Sequence, residues 1–159
     1  MVKKVGILTA GGDCPGLNAV IRGIVKTAEY AGVETYGFLE GYKGLYNNNF
    51  IKLDSSITSD IIAKGGTILG SNNKTNIFAM PVKDKNGEVT FEDKSFEVVE
   101  RLKNDNYDCL IIIGGDGSLK SARDFTRRGL NVIGVPKTID NDVPYTDVTF
   151  GFNTAVTVA

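Results

Sequence analysis

The chain has 159 residues, enough for one domain with a sizeable core, and with 42% hydrophobic and 23% charged residues it has an ordinary globular composition. Eighteen basic residues against 19 acidic ones leave a net charge of −1, without the basic excess of a dedicated nucleic-acid binder. No apolar run approaches the ~20 residues of a membrane span, and Met1-Val2-Lys3-Lys4 opens no signal-peptide pattern, so a cytoplasmic protein without membrane or nucleic-acid partners is expected. Two cysteines, Cys14 and Cys109, are too few for a disulfide framework. The absence of histidine leaves any proton transfer to Asp, Glu, Lys, Tyr or Cys.

In chain order, residues 5–9 are β-branched and apolar and read as a buried first strand. Gly11-Gly12-Asp13-Cys14-Pro15-Gly16 leads into a helix, because Leu17, Val20, Ile21, Ile24, Val25 and Ala28 keep a three/four spacing that Gly32 ends. A second strand is expected over residues 34–38 and a loop at Gly41-Tyr42-Lys43-Gly44. Residues 53–63, starting from Asp54-Ser55-Ser56, read as containing a short helix. Residues 80–92 form a β-hairpin excursion turning at Asn86-Gly87. A helix follows from Asp93 with Phe96, Val99 and Leu102 inward, then a strand at 109–113, a helix at 118–128 and a strand at 131–135. The last residues, 153–159, look like an opening helix with no stop signal, as if the chain were cut there. Alternating strands and helices predict an α/β fold: a doubly wound, mostly parallel sheet in a Rossmann-like three-layer sandwich.

Gly114-Gly115-Asp116-Gly117-Ser118 is a strand-to-helix corner. Three glycines let backbone N–H groups approach a bulky anion, and a helix N-terminus adds positive potential. An acidic residue there argues for a divalent cation between carboxylate and phosphate, so the corner reads as a magnesium-phosphate site; the alternative is a turn that only reverses the chain. In a parallel sheet the strand-to-helix loops meet at the carboxyl edge. That brings Gly11-Gly12-Asp13, the 114–118 corner and Pro136-Lys137-Thr138-Ile139-Asp140-Asn141-Asp142 together, and lets Asp116, Asp140 and Asp142 share one site, unless the last stretch is simply an Asx-rich turn. Neither corner has the G-x-G-x-x-G spacing of a dinucleotide-binding dehydrogenase.

Those motifs, with Leu17-Asn18 and Thr149-Phe150-Gly151-Phe152-Asn153-Thr154-Ala155, resemble the 6-phosphofructokinase family over essentially the whole chain. The Gly-Gly-Asp-Gly corner is also similar to that of NAD kinases and diacylglycerol kinases, whereas Thr-Ile-Asp-Asn-Asp is close to diagnostic. The resemblance implies transfer of a phosphoryl group to the 1-hydroxyl of fructose 6-phosphate in glycolysis, and that residues 1–159 are the nucleotide- and magnesium-phosphate-binding domain, cut before a second, sugar-phosphate domain. It implies that Gly12 and the backbone of Gly115, Asp116, Gly117 and Ser118 hold nucleotide phosphates, and that Asp116 ligates Mg2+. Asp140 would be the base, Thr138 and Asp142 would steady substrate and metal, and Thr138, Ile139 and Asp140 would meet the sugar. Asn73 and Lys74 fall beside the nucleotide, with Asn73 where many members have arginine.

Gly117 leaves room for the α-phosphate of ATP, where pyrophosphate users usually carry aspartate; Lys137 stands where many ATP users have glycine and pyrophosphate users lysine. ATP is the expected donor and pyrophosphate the alternative. A non-catalytic nucleotide-binding module is the reading from another class. Arg22 and Lys26 fall near the family's allosteric site or form a solvated basic face, and Ser55 replaces an arginine there, so no effector response is expected. The full-length protein is expected to be a homo-oligomer, and missing partner surface to leave apolar area exposed here.

Overall fold

The structure, a computed structural model, describes residues 2–158. Its centre is a six-stranded sheet in the order β3-β2-β1-β6-β7-β8, formed by β1 (Lys4–Thr9), β2 (Glu34–Phe38), β3 (Phe50–Leu53), β6 (Cys109–Gly114), β7 (Val132–Thr138) and β8 (Phe150–Gly151). All neighbours run parallel except β3, which returns antiparallel along β2. The hairpin of β4 (Met80–Lys83) and β5 (Val89–Glu92) stands apart as a two-stranded sheet.

Alternation sorts the central strands between two cores. Val5 and Ile7 of β1 and Cys109, Ile111 and Ile113 of β6 face α1 (Leu17–Tyr30) through its Leu17, Ile21 and Val25. Leu8, Leu110 and Ile112 join Leu45 of α2 (Tyr42–Asn47), Val98, Val99 and Leu102 of α3 (Ser95–Asn104), and Ala122 and Phe125 of α4 (Asp116–Arg127). Each fully buried aliphatic or aromatic side chain stabilises the fold by roughly 1.5–3 kcal/mol. Because α1 covers one face and α4 the other, the chain winds outward in opposite directions from β1 and β6. The carboxyl ends of those two strands therefore part at a topological switch point, where open α/β sheets bind ligands.

Four local readings need correction. Residues 54–63 form successive turns rather than a helix: the Asp54 carboxylate accepts from Ser56 N, Ser56 Oγ and Ile57 N, closing an Asx turn that competes with a helical start. Residues 42–44 belong to α2 instead of a loop. Phe96 points outward, its ring 4.9 Å from the Arg128 guanidinium, while Val98 takes the inward position with Val99 and Leu102. The Gly corner's helix starts at Asp116, two residues before the expected 118. Strands β3 and β8 were not anticipated. The closing helix, α5, is Phe152–Val158, and residue 159 of the expected segment lies outside the described residues. Apolar area is exposed at the outer end of the sheet, with Ile133 54%, Phe150 52% and Val156 64% accessible.

Candidate active site

At the switch point opens a crevice of about 520 Å³, lined from three loops. Gly11, Gly12, Asp13 and Cys14 follow β1; Gly115, Asp116, Gly117 and Ser118 begin α4; Lys137, Thr138, Ile139 and Asp140 leave β7. Tyr42, Asn72, Asn73 and Thr75 close the remaining side. Of the residues read from the sequence as site residues, Gly12, Asn73, Gly115, Asp116, Gly117, Ser118, Thr138, Ile139 and Asp140 are thus brought together, whereas Lys74 and Asp142 do not line the crevice.

Helix α4 begins directly at the corner, with Gly115 extended at its N-cap and no side chain capping its first turn, so N–H groups there remain available. Gly114 has to be glycine: a Cβ would lie 2.5 Å from Ser118 Cβ and Oγ and 3.1 Å from the Ala10 carbonyl. A Cβ on Gly117 would meet nothing within 4 Å, so a side chain there would project into open space. The Asp116 carboxylate is 55% exposed and, among the described residues, forms its one ion pair with Lys120, one turn on, at 2.7 Å. Such a surface pair is weak, and leaves the carboxylate free for a harder partner.

Lys137 is the opposite case. Only 4% exposed, it donates from Nζ to the Gly12 carbonyl across the mouth of the switch point, and no carboxylate pairs with it among the described residues. A buried ammonium held only by a carbonyl is poorly compensated. Thr138 Oγ1 accepts from Asp140 N at 3.1 Å and lies 3.5 Å from its carboxylate, fixing the loop that carries Asp140. Asn141, at φ 52, turns the chain there; its Oδ1 accepts from Thr149 N at 2.9 Å. Beyond this turn Asp142 is exposed, so the expected grouping of Asp116, Asp140 and Asp142 around one ion is not formed, and no cluster of three acidic, cysteine or histidine residues suited to a metal occurs among the described residues. Cys14 is buried, and burial pushes its thiol pKa up, which suits packing rather than nucleophilic chemistry.

Sequence reasoning missed Tyr42, Asn72 and Thr75. Asn72 was legible as an Asx turn, since its Oδ1 accepts from Lys74 N and Thr75 N; this turn explains why Asn73 reaches the crevice and Lys74 does not. At the distant basic face, Arg22 donates to the Thr58 carbonyl, while Ser55 N and Oγ both donate to the Glu29 carboxylate and hold its pKa below the usual carboxylate range.

Sheet order and the crevice at the switch point define a doubly wound α/β domain with an uncapped helix N-terminus at its carboxyl edge. The chain belongs to the phosphofructokinase family, whose model matches residues 4–159. It is 59% identical over 160 residues to ATP-dependent 6-phosphofructokinase 2 of Clostridium perfringens, covering 99% of this chain and 43% of that protein. To ATP-dependent 6-phosphofructokinase of Vibrio campbellii it is 45% identical over 156 residues, covering 98% and 45%. Among solved structures, Pichia pastoris phosphofructokinase in the T-state superposes with a TM-score of 0.78 at 29% identity, covering 95% of this chain and 17% of that one. Pyrophosphate-dependent phosphofructokinase of Marinobacter aquaeolei superposes with a TM-score of 0.70 at 25% identity, covering 95% and 37%. The chain spans less than half the length of the curated relatives it matches.

Proposed function

We propose that this chain is the nucleotide-binding part of an ATP-dependent 6-phosphofructokinase, and that the full-length protein converts fructose 6-phosphate and ATP to fructose 1,6-bisphosphate and ADP. The observation that carries this reading is the buried Lys137 ammonium, without a carboxylate partner, in the same crevice as an uncapped helix N-terminus and the Asp140 carboxylate. Two sources of positive potential suit a polyphosphate, and the adjacent carboxylate suits a proton acceptor.

In the transfer, Asp140 takes the proton of the 1-hydroxyl as the sugar oxygen bonds to the γ-phosphorus. The bridging P–O bond breaks and its electrons leave with ADP. Thr138, bonded to the Asp140 amide, keeps that carboxylate aimed. Gly12 and the backbone of residues 115–118 hold phosphate oxygens, Ile139 helps seat the sugar, and Asn73 flanks the nucleotide, with Lys74 and Asp142 supporting from outside the lining. Asp116, exposed and only weakly paired, fits Mg2+, a hard cation taking one or two carboxylates together with phosphate oxygens and water. Held by Asp116, such an ion would supply charge neutralisation at the transferring phosphate.

A second cavity of about 120 Å³ shares Tyr42 and Thr75 with the crevice and continues to Asn76, Ile77, Phe78 and Ser121. It adds space beside the crevice, and the open space at Gly117 favours ATP; the two curated relatives cited above are named ATP-dependent. Pyrophosphate remains the second reading because of Lys137. Remaining contacts to the sugar phosphate come from a second domain outside this chain, and the exposed apolar surface around Ile133, Phe150 and Val156 supports further packing and homo-oligomer formation in a cytoplasmic enzyme.

The test is turnover by the full-length protein with fructose 6-phosphate, offered ATP or pyrophosphate, with and without magnesium. Magnesium-dependent turnover with ATP is expected; turnover with pyrophosphate alone would reverse the donor assignment, and none with either would remove the reading.

A further inference from the structure

Tyr42 has no part in the chemistry above, yet it touches the phosphate-binding corner from behind. It opens α2 after Gly41, which stands at φ 60 with its backbone pressed on β1: a Cβ there would lie 2.7 Å from the Thr9 carbonyl. The segment can approach that closely only as glycine, so α2 is seated on the end of the strand that carries the first loop of the crevice. The Tyr42 ring is buried and packs beside Phe125 of α4 with centroids 6.4 Å apart, while its hydroxyl donates to the Ser118 carbonyl at 3.3 Å. Ring and hydroxyl thus grip the same helix at two levels. Ser118 lies in the first turn of α4, whose N-terminus no side chain caps, so the Tyr42 hydroxyl is a side-chain tether on that turn from across the crevice wall. Burial pushes the phenol pKa up to about 12, so it stays a donor throughout the physiological range.

We propose that Tyr42 is a positioning residue for the polyphosphate cradle: by holding the Ser118 carbonyl, its hydroxyl sets the first turn of α4, and so the N–H groups that receive phosphate oxygens. This rests on the reading of the crevice as a polyphosphate site. The role differs from contact with a nucleoside, although Tyr42 also lines the adjoining cavity. A positioning tether acts on whatever phosphate chain is bound, with or without a nucleoside; direct contact acts on the nucleotide alone.

The experiment is calorimetric titration of the full-length protein and its Tyr42→Phe variant with Mg-ATP and, separately, with magnesium tripolyphosphate, which has no nucleoside. Phenylalanine keeps the ring and removes only the hydroxyl, and a cooperative melt within a few degrees of the wild type checks that the fold is kept. Loss of one neutral hydrogen bond predicts that both ligands weaken by a similar factor, roughly 3- to 10-fold. Weakening of Mg-ATP alone would overturn the proposal in favour of direct nucleoside contact, and no weakening of either would overturn it outright. A wild-type protein that binds neither ligand would remove both the cradle and the tether. One that binds both but phosphorylates no fructose 6-phosphate would refute the functional reading and leave this comparison decisive.

Discussion

The two flanks of the crevice are built from the same tripeptide, Gly-Gly-Asp, and do opposite things with it. After β1, Gly11-Gly12-Asp13 is followed by three more residues before α1 starts at Leu17; no helix terminus forms at the tripeptide itself, and the Gly12 carbonyl is held by the buried Lys137 ammonium. After β6, the helix begins at the aspartate itself, so the second corner presents helix N–H groups and an exposed carboxylate. One flank is bonded by a buried side-chain cation, the other presents backbone dipoles, and each carries an exposed aspartate. The difference teaches that the motif's chemistry is decided by how soon a helix follows it. Phosphate is expected between the flanks, and the metal on Asp116, beside the helix N-terminus.

The sharpest way to break this division is Asp140→Asn on the acidic side. Loss of a positioned base costs on the order of 10² to 10⁴ in rate, so kcat of the full-length enzyme should fall by that factor while Mg-ATP affinity stays within a few-fold; near-normal turnover would remove Asp140 from the chemistry. Asp116→Ala should abolish the magnesium dependence of ATP binding, measured by calorimetry with and without the ion, and equal affinities in both proteins would make Asp116 a turn residue only.

At the first flank, Lys137→Met keeps most of the buried stem and deletes the charge. A charge-assisted hydrogen bond is worth about 1.5–3 kcal/mol, so polyphosphate affinity should drop about 10- to 100-fold, with pyrophosphate affected more than ATP. Gly117→Asp sharpens the donor question: filling the open space beside the corner should abolish ATP use and spare or improve pyrophosphate use, read from kcat/KM with each donor. The smallest effect belongs to Cys14. Its thiol follows the first flank directly, but burial raises its pKa, so Cys14→Ala should leave kcat/KM within about twofold, and labelling of the wild type by iodoacetamide should be slow at neutral pH.

Much of the fold was legible because β1, β6, α1 and α4 carry their own periodicity. The hairpin was legible from Asn86-Gly87, where Asp84 Oδ1 accepts from Asn86 N and Glu88 N. What escaped was decided by partners distant in sequence. Strand β3 exists because Thr35 to Phe38 offer it a free edge, and Phe38 and Phe50 meet edge-on at 5.9 Å. Strand β8 has two residues, too few for any period. Phe96 fits an apolar helical face, but Arg128 and Asp93 build a cation-lined surface where its ring is stacked instead. The same holds for the site. Glycine corners and Thr-Ile-Asp-Asn-Asp announce themselves, whereas Tyr42 reaches Ser118 across 76 positions and no local pattern encodes that contact.

The central claim is a divided crevice, with phosphate between a buried lysine and a helix N-terminus and the metal on Asp116. A crystal structure of the full-length protein with Mg-ATP tests it most directly. The account predicts phosphate oxygens within hydrogen-bond reach of the residue 116–118 amides and of Lys137 Nζ, Mg2+ on the Asp116 carboxylate, and Asp140 facing the γ-phosphate without ligating the ion. Phosphates bound away from Lys137 and the α4 N-terminus, or a metal held by Asp140 in place of Asp116, would contradict it.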